Sequence, residues 1–508
     1  MSFSALSNKS VAAFYTLGCK LNQLESEAIA AAFSKEGFTV IPWNENQRLQ
    51  DKSIISKPDV LIINTCTVTS KSEQKARRII RRALRDLSLK LIIVTGCYAQ
   101  MEAEALESLD MQFSDVKPLD CMAPSLYKKR LYIVNQDYKH LLLKLPQDLR
   151  SGNYGFFKES LLSLCVSGSA DSMCKDRIIP AETSFLYEPD QFNFHSRAFV
   201  KIQDGCDNNC SYCRTSIARG NSRSLEAQKV LAVIKSLEDK GHEEAVLTGV
   251  NISQYSDKTA CSSLAFLLEY LVSGTSKIRL RLSSIEPYVI DNNFVHAVSH
   301  NRIRPHFHIS MQSGSRALLE RMKRFYDPVK VLEDINFLRT VKDDPFTGCD
   351  IIVGFPGETP DDFERTLDFC SKAGFAGIHV FPFSLRPGTE TWNMAKDCTM
   401  EHGPIARVTE KEAGLRANKI SSLALNQKKA YIERWIGREI EAIIEEDTVR
   451  LSDFVPAMSA NYLRLLVKTI NTQELKPGKA YNCRIVSGID SNSNIPKAKG
   501  YDAVAEII

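Results

Sequence analysis

The chain has 508 residues, 44% hydrophobic and 25% charged, with a net charge of +4: an ordinary globular composition, long enough for roughly three domains, with no overall field that would announce a polyanion partner. Fourteen cysteines in so long a chain do not make a disulfide framework and point instead to metal or cluster chemistry in a reducing compartment. The first ten residues lack a basic-then-apolar leader pattern and the longest apolar runs are strand-sized, so a cytoplasmic protein with no membrane partner is expected.

Three apolar strands are expected first, at residues 12–17, 59–63 and 89–94, with helical stretches at 23–35 and 72–87 between them. Continuous apolar strands alternating with helices argue for a parallel sheet covered on both faces. A cysteine follows each strand almost at once: Cys19, Cys66 and Cys97. Ligands of an open parallel sheet bind beyond the carboxyl ends of its strands. All three thiols should therefore meet at one edge and hold a [4Fe–4S] cluster with one iron open. Three unrelated buried thiols are the alternative.

In the helix at 72–87, Ala76, Ile79, Ile80, Ala83, Leu84 and Leu87 recur at helical spacing and form the expected buried stripe. Arg77, Arg81 and Arg85 share an outward row, with Arg78 and Arg82 beside it. Like charges at this spacing repel, and a phosphate backbone would relieve the repulsion. The row is read as an RNA contact or a solvated basic face, with neither preferred. Alternation fades after Gln100. Residues 1–140 are taken as one α/β domain and 141–195 as a connector, with no secondary structure assigned over 146–195. Cys121, Cys165 and Cys174 lack metal spacing and read as structural or loop thiols.

Strand patterns return at 199–203, 245–248, 278–283, 306–311, 349–353 and 377–381, with helical patterns between them. Six such units over residues 196–430 suggest an open (β/α)6 barrel with its chemistry at the carboxyl face of the strands. The loop after the first strand, Asp204-Gly-Cys-Asp-Asn-Asn-Cys-Ser-Tyr-Cys-Arg-Thr-Ser216, carries Cys206, Cys210 and Cys213 in C-x3-C-x2-C spacing. Three thiolates this close can hold three irons of a [4Fe–4S] cube and leave the fourth open for a substrate. Zinc or reduced core thiols are the alternatives, but zinc normally takes four ligands in paired groups. Later strand ends supply Gly249, Asn251, Glu286, Gln312, Gly354 and Gly357 as candidate cofactor contacts, each also suited to a turn or helix cap. Cys261, Cys349, Cys370 and Cys398 are scattered and read as ordinary thiols. Residues 431–508 show short strand runs separated by turns, as in a small antiparallel barrel. They hold ten Lys/Arg against eleven Asp/Glu, so RNA binding there would need a local patch.

The C-x3-C-x2-C loop resembles the radical-SAM signature, in which the open iron chelates S-adenosylmethionine. Thr16-Leu-Gly-Cys-Lys-Leu-Asn-Gln-Leu-Glu-Ser-Glu27, Asn64-Thr-Cys-Thr-Val-Thr69 and Thr95-Gly-Cys-Tyr-Ala-Gln100 resemble the N-terminal domain of the methylthiotransferases. Gly18 to Gln23 and Asn64 to Thr69 are similar to the branch acting on threonylcarbamoyl-adenosine in tRNA. Ser459-Ala-Asn-Tyr-Leu-Arg464 resembles a TRAM domain, an RNA-binding module. Arg219, in Ile217-Ala-Arg-Gly220, also fits the family. Where the family usually has Ile-Ile-Pro-Tyr after the third cysteine, this chain has Arg214-Thr-Ser-Ile217.

The resemblance implies an enzyme with two [4Fe–4S] clusters, at Cys19/Cys66/Cys97 and Cys206/Cys210/Cys213, and S-adenosylmethionine. It would add a methylthio group to C2 of N6-threonylcarbamoyladenosine at position 37 beside the anticodon of tRNA. The C2–H bond of a purine is neither acidic nor electrophilic, so a carbon-centred radical is needed to remove that hydrogen. A reductant protein and a sulfur donor are implied without being identified. The alternatives are a methylthiotransferase acting on isopentenyl-adenosine or on a ribosomal protein, and, from another class, a non-catalytic iron–sulfur RNA-binding or redox-sensing protein.

Overall fold

The structure is a computed structural model. It describes residues 10–43, 57–113, 130–151, 181–189, 192–257, 262–395, 407–446, 453–469, 475–489 and 500–508. Cys121, Cys165, Cys174, Cys261 and Cys398 lie outside the described residues, as does most of the connector. The chain forms two compact units. One runs up to Phe194 and includes Asp204–Asn208 and Cys213–Arg223; the other holds His195–Gln203, Asn209–Tyr212 and Ser224–Ile508.

The first unit is built on β1 (Val11–Thr16), β2 (Thr39–Pro42), β3 (Val60–Thr65), β4 (Leu91–Gly96) and β5 (Leu131–Val134). All four pairings are parallel, in the order β2-β1-β3-β4-β5. The three strands expected from apolar runs form the centre, because Val60–Thr65 is buried throughout and needs cover on both faces. β2 and β5 were not foreseen; they are four-residue edge strands, and the exposed or half-exposed β2 has little apolar signal. Ala76, Ile79, Ile80, Ala83 and Leu84 from the helix Ser70–Arg85 pack on one face. Ile29, Ala30 and Phe33 from Lys20–Lys35 pack on the other. Leu87 does not belong to the stripe: the helix stops at Arg85, and Leu87 is 86% exposed.

The second unit contains β6 (Ala198–Lys201), β7 (Glu244–Thr248), β8 (Arg279–Leu282), β9 (His306–Gln312), β10 (Phe346–Val353) and β11 (Gly377–Pro382). They form two parallel three-stranded groups, β8-β7-β6 and β9-β10-β11. Single parallel bridges, Leu280 to Ile303 and Ile285 to Ile309, span the two. The six units expected from the sequence are thus present as an open barrel. After the long helix Glu410–Trp435 come β12 (Glu439–Ile444), β13 (Phe454–Ser459), β14 (Arg464–Lys468), β15 (Ala480–Gly488) and β16 (Ala503–Ile507). They close into a barrel in the order β12-β13-β14-β16-β15, with Cys483 fully buried inside. The barrel is antiparallel except for the parallel pair β14 and β16. Among the described residues no helix is long and apolar enough to cross a membrane.

A buried charge network joins the two parts of this unit. Glu244 Oε1 accepts from Arg281 Nε at 2.7 Å, and Oε2 from Arg304 Nε at 2.7 Å. Arg281 also donates to the Ser459 and Ala460 carbonyls of the closed barrel, both at 3.1 Å. Burial pushes the Glu244 carboxyl up, but Arg281 and Arg304 more than offset this and hold it well below the usual range. A depressed folded-state pKa stabilises above the unfolded value of about 4.3 and loses that contribution as pH falls below it. Glu244→Gln is therefore expected to cost about 3–5 kcal/mol at neutral pH, because two guanidinium groups lose a buried partner. The gap to the wild type should narrow on acidification below about pH 4, as urea unfolding across pH would measure.

Candidate functional site

In the first unit the adjacent parallel strands β1, β3 and β4 deliver Cys19, Cys66 and Cys97 just past their carboxyl ends. Cys19 precedes the helix Lys20–Lys35, and Cys97 opens the short helix Cys97–Met101. Gly96 has φ +99°, and a Cβ there would come within 2.3 Å of the Thr65 carbonyl. Only glycine allows β4 and β3 to stay this close at that turn. On the other side, a Cβ on Gly18 would lie 2.8 Å from the Cβ of Cys66 and 3.0 Å from its Sγ. The Cys19 turn therefore lies directly against Cys66, as expected from the strand ends.

Burial pushes the Cys66 thiol up to about 12, with Cys97 and Cys19 adding to the rise. Burial also raises Cys97, against the pull of Arg219. Cys66 and Cys97 are buried while Cys19 is exposed, and thiolate sulfurs brought together in this way repel one another unless a cation is held between them. Three thiols at one sheet edge suit the iron corners of a [4Fe–4S] cluster, whereas structural zinc normally takes four ligands. Hydrogen-bond donors also point at the sulfurs. The Val68 N–H is 3.5 Å from Cys66 Sγ; Gln136 Nε2 and Arg219 Nε are 3.6 and 3.3 Å from Cys97 Sγ. Such donors stabilise a thiolate ligand and fix its direction.

Arg219 is the hub of this unit and is 2% exposed. It pairs with Glu25 at 2.9 Å and with Asp204 at 3.1 Å, and donates to Asn22 Oδ1 at 2.9 Å. Glu25 also pairs with Lys139, which is fully buried and donates to Asn64 Oδ1 at 3.1 Å. Lys139 sits in a stretch that the sequence left without a role. A basic residue inside an apolar run was the available signal, since a lysine there must find a buried partner. Arg214, at the start of the departure from the family pattern, pairs with Glu73 at 3.0 Å and Glu102 at 2.5 Å. Arg77, in the expected basic row, is half-buried, and its Nη1 donates to the Tyr98 hydroxyl at 2.6 Å. Arg81 and Arg85 are exposed, as are Arg78 and Arg82. Cys206 and Cys213 are half-buried, and the Cys206 N–H donates to the Gly220 carbonyl at 3.0 Å.

In the second unit Cys210 is buried, and Arg324 Nη1 lies 3.6 Å from its sulfur. The same guanidinium pairs with both carboxylate oxygens of Glu286 and donates to the Ser310 carbonyl at 2.6 Å. Glu286 is thus engaged within the protein. Burial raises its carboxyl, with Arg324 opposing. Asn251 Oδ1 accepts from the Ser253 N–H at 3.2 Å and caps the turn Ile252–Gln254, while its own N–H donates to Gln203 Oε1 at 2.8 Å. A Cβ on Gly249 would come within 2.7 Å of Gln203 Oε1, and one on Gly354 within 2.6 Å of the Ala413 Cβ. Packing within the protein accounts for both glycines. The Gly357 carbonyl accepts from Arg321 Nη1 at 2.6 Å. Gln312 differs: its φ of +66° ends β9 in a conformation that non-glycine residues rarely hold, a form of strain found at ligand sites.

Residues 200–370 match the Radical SAM superfamily, and residues 11–116 match the Uncharacterized protein family UPF0004. The chain is similar to the "Threonylcarbamoyladenosine tRNA methylthiotransferase MtaB" of Treponema pallidum (strain Nichols). The two are 39% identical over 89% of this chain and 93% of that protein. A protein of the same description from Rickettsia prowazekii (strain Madrid E) is 30% identical over 89% and 91%. The "tRNA-2-methylthio-N(6)-dimethylallyladenosine synthase" of Jannaschia sp. (strain CCS1) is 27% identical over 85% and 82%. Among solved structures, the radical S-adenosylmethionine methyltransferase TsrM from Kitasatospora setae aligns with a TM-score of 0.51 at 16% identity, covering 77% of this chain and 76% of that one. That likeness is one of fold.

Proposed function

The chain belongs to the family of radical-SAM threonylcarbamoyladenosine tRNA methylthiotransferases, and from that membership we propose that it places a methylthio group on C2 of N6-threonylcarbamoyladenosine at position 37 of tRNA. The observation that carries the reading is the convergence of Cys19, Cys66 and Cys97 at one sheet edge, in a chain that also has the C-x3-C-x2-C loop. A single-cluster radical-SAM protein needs only the second. On the alternative of a non-catalytic redox sensor, a second trio of thiols and a match along 89% of the chain to methylthiotransferases would have no purpose.

Cys19, Cys66 and Cys97 would hold one [4Fe–4S] cluster, and Cys206, Cys210 and Cys213 the other. Bound there, the clusters supply the electron for reductive cleavage of S-adenosylmethionine and an open metal site for sulfur. The chain's own residues do the positioning. Arg219 fixes Cys97 through its Nε donor and is itself held by Glu25 and Asp204. Arg324 donates toward Cys210 and is held by Glu286. Gln312, Asn251, Gly249, Gly354 and Gly357 line strand ends where S-adenosylmethionine would lie, with Glu286 acting through Arg324. The reacting adenosine has to leave its stack to be reached. Arg81 and Arg85 are exposed on one helix, where guanidinium groups would meet anticodon-loop phosphates, and the closed C-terminal barrel is the further RNA-binding element in this reading. A reductant and a sulfur donor complete the reaction in the cytoplasm.

Mass spectrometry of tRNA nucleosides from a deletion strain tests this. The methylthio form of threonylcarbamoyladenosine should disappear while threonylcarbamoyladenosine itself accumulates. Loss of a methylthio isopentenyl-adenosine instead would overturn the substrate assignment.

A further inference from the structure

Three polar side chains on neighbouring barrel strands form a group that neither cluster uses. Asp350 on β10 and His379 on β11 are register partners. His308 on β9 is paired with Gly348, two residues before Asp350. His308 Nε2 lies 2.9 Å from Asp350 Oδ1, and His379 Nδ1 lies 3.2 Å from that same oxygen. The two imidazole centroids are 5.0 Å apart. A Cβ at Gly348 would crowd His308, lying 3.1 Å from its Nδ1.

The group is accessible, with side-chain exposure of 12% for His308, 24% for Asp350 and 68% for His379. It also continues into an aromatic wall. The His379 ring meets Phe381 edge-on at 6.5 Å. Phe381, Phe383 and Tyr212 all pack against a buried cluster that holds Ile352 and Phe355, the Tyr212 and Phe383 rings both meeting Phe355 edge-on, and Tyr212 lies in the loop between Cys210 and Cys213. An apolar, aromatic wall suits the face of a purine. A polar triad at one end of it suits a purine with a polar, acidic substituent.

We infer that His308, Asp350 and His379 form the subsite that reads the threonylcarbamoyl group of the target adenosine, an inference that rests on the substrate branch proposed above. With Nδ1 turned to Asp350, His379 has its Nε2 on the far side of the ring. A neutral ring accepts there from the threonyl hydroxyl or a ureido N–H; a protonated ring donates to the threonyl carboxylate. Asp350 keeps both rings oriented. Burial raises its carboxyl, but the two imidazoles more than offset that and keep it ionised. An isopentenyl group would strip water from these groups and return no hydrogen bond, so the site rejects it. Specificity between modified adenosines thus comes from this triad and not from the clusters.

The test is equilibrium binding of the cluster-loaded protein to three synthetic anticodon stem-loops, bearing unmodified adenosine, isopentenyl-adenosine or threonylcarbamoyladenosine at the target position. Wild-type protein should prefer the threonylcarbamoyl form, and His379→Ala and His308→Gln should each reduce that preference by about tenfold or more, while affinity for the unmodified loop stays the same. His379→Phe, which keeps a ring but removes the polar nitrogens, should move the preference toward the isopentenyl form; a merely structural histidine would not produce that reversal. His379 is largely exposed, so its variants should fold, and unchanged iron content would verify it. If the variants discriminate as the wild type does, the inference fails while the substrate reading stands. Should wild-type protein itself show no preference, both fail. A divalent ion bound stoichiometrically beyond the cluster iron, and lost in Asp350→Asn, would also overturn it, since the triad would then be a metal site.

Discussion

Cys66→Ser is expected to lower the iron content from about eight atoms per chain to about four and to reduce methylthio product by more than about a hundredfold, while S-adenosylmethionine is still cleaved to 5′-deoxyadenosine. Serine is nearly isosteric with cysteine. Cys66 follows the most buried strand of the first sheet and is itself 5% exposed, so a small hydroxyl there should leave the fold intact. Its oxygen does not ionise near neutral pH and is a poor ligand for iron. The effect should therefore separate thiolation from radical generation, which the Cys206/Cys210/Cys213 loop is proposed to support alone. Iron analysis of anaerobically purified protein, with product and 5′-deoxyadenosine quantified by mass spectrometry, reads all three quantities. Full iron content with undiminished product would contradict the two-cluster reading, and so would wild-type protein that carries iron for only one cluster.

The second large effect is expected at Arg219. Arg219→Ala should destabilise the protein by about 3–5 kcal/mol, because Glu25 and Asp204 would keep buried carboxylates without their guanidinium. Lys139 would remain beside Glu25 but cannot reach the place of a forked group. Arg219→Lys keeps the charge and loses the fork, so an intermediate loss is expected. Urea unfolding of metal-free protein isolates this contribution from cluster binding. A loss below about 1 kcal/mol for the alanine variant would mean that the network is no more than a surface-like pairing. In cluster-loaded protein the same substitution removes the Nε donor to Cys97. An altered electron paramagnetic resonance signal of the first cluster should follow, because hydrogen bonds to the sulfurs help set cluster properties.

Much of the molecule could be read without coordinates because its signals are local. Residues 60–63 and 91–94 are apolar throughout, and only a strand covered on both faces makes sense of such a run in a short segment. A cysteine just after each of three such strands then follows the geometry of any parallel sheet. The spacing of Cys206, Cys210 and Cys213 is a property of one loop, and six strand–helix units define an open barrel by their alternation alone. Edge strands escaped for the converse reason. Thr39–Pro42 is exposed or half-exposed along its length, so it carries no continuous apolar mark. Leu87 was misassigned because helical spacing says which side a residue faces, not where the helix stops.

What the amino-acid order determined by itself was the donor chemistry: two trios of thiols, one in a single loop and one spread over three strand ends. Only the tertiary structure decided which charges surround them. Arg219, Glu25 and Lys139 are separated by as many as 194 positions in their contacts, and Asp350 meets His308 and His379 across three strands. Ion pairing depends on distance in space, and chain separation carries no information about it until the sheet registers are set. The same holds for Glu286 and Gly354, whose partners Arg324 and Ala413 reach them from other elements.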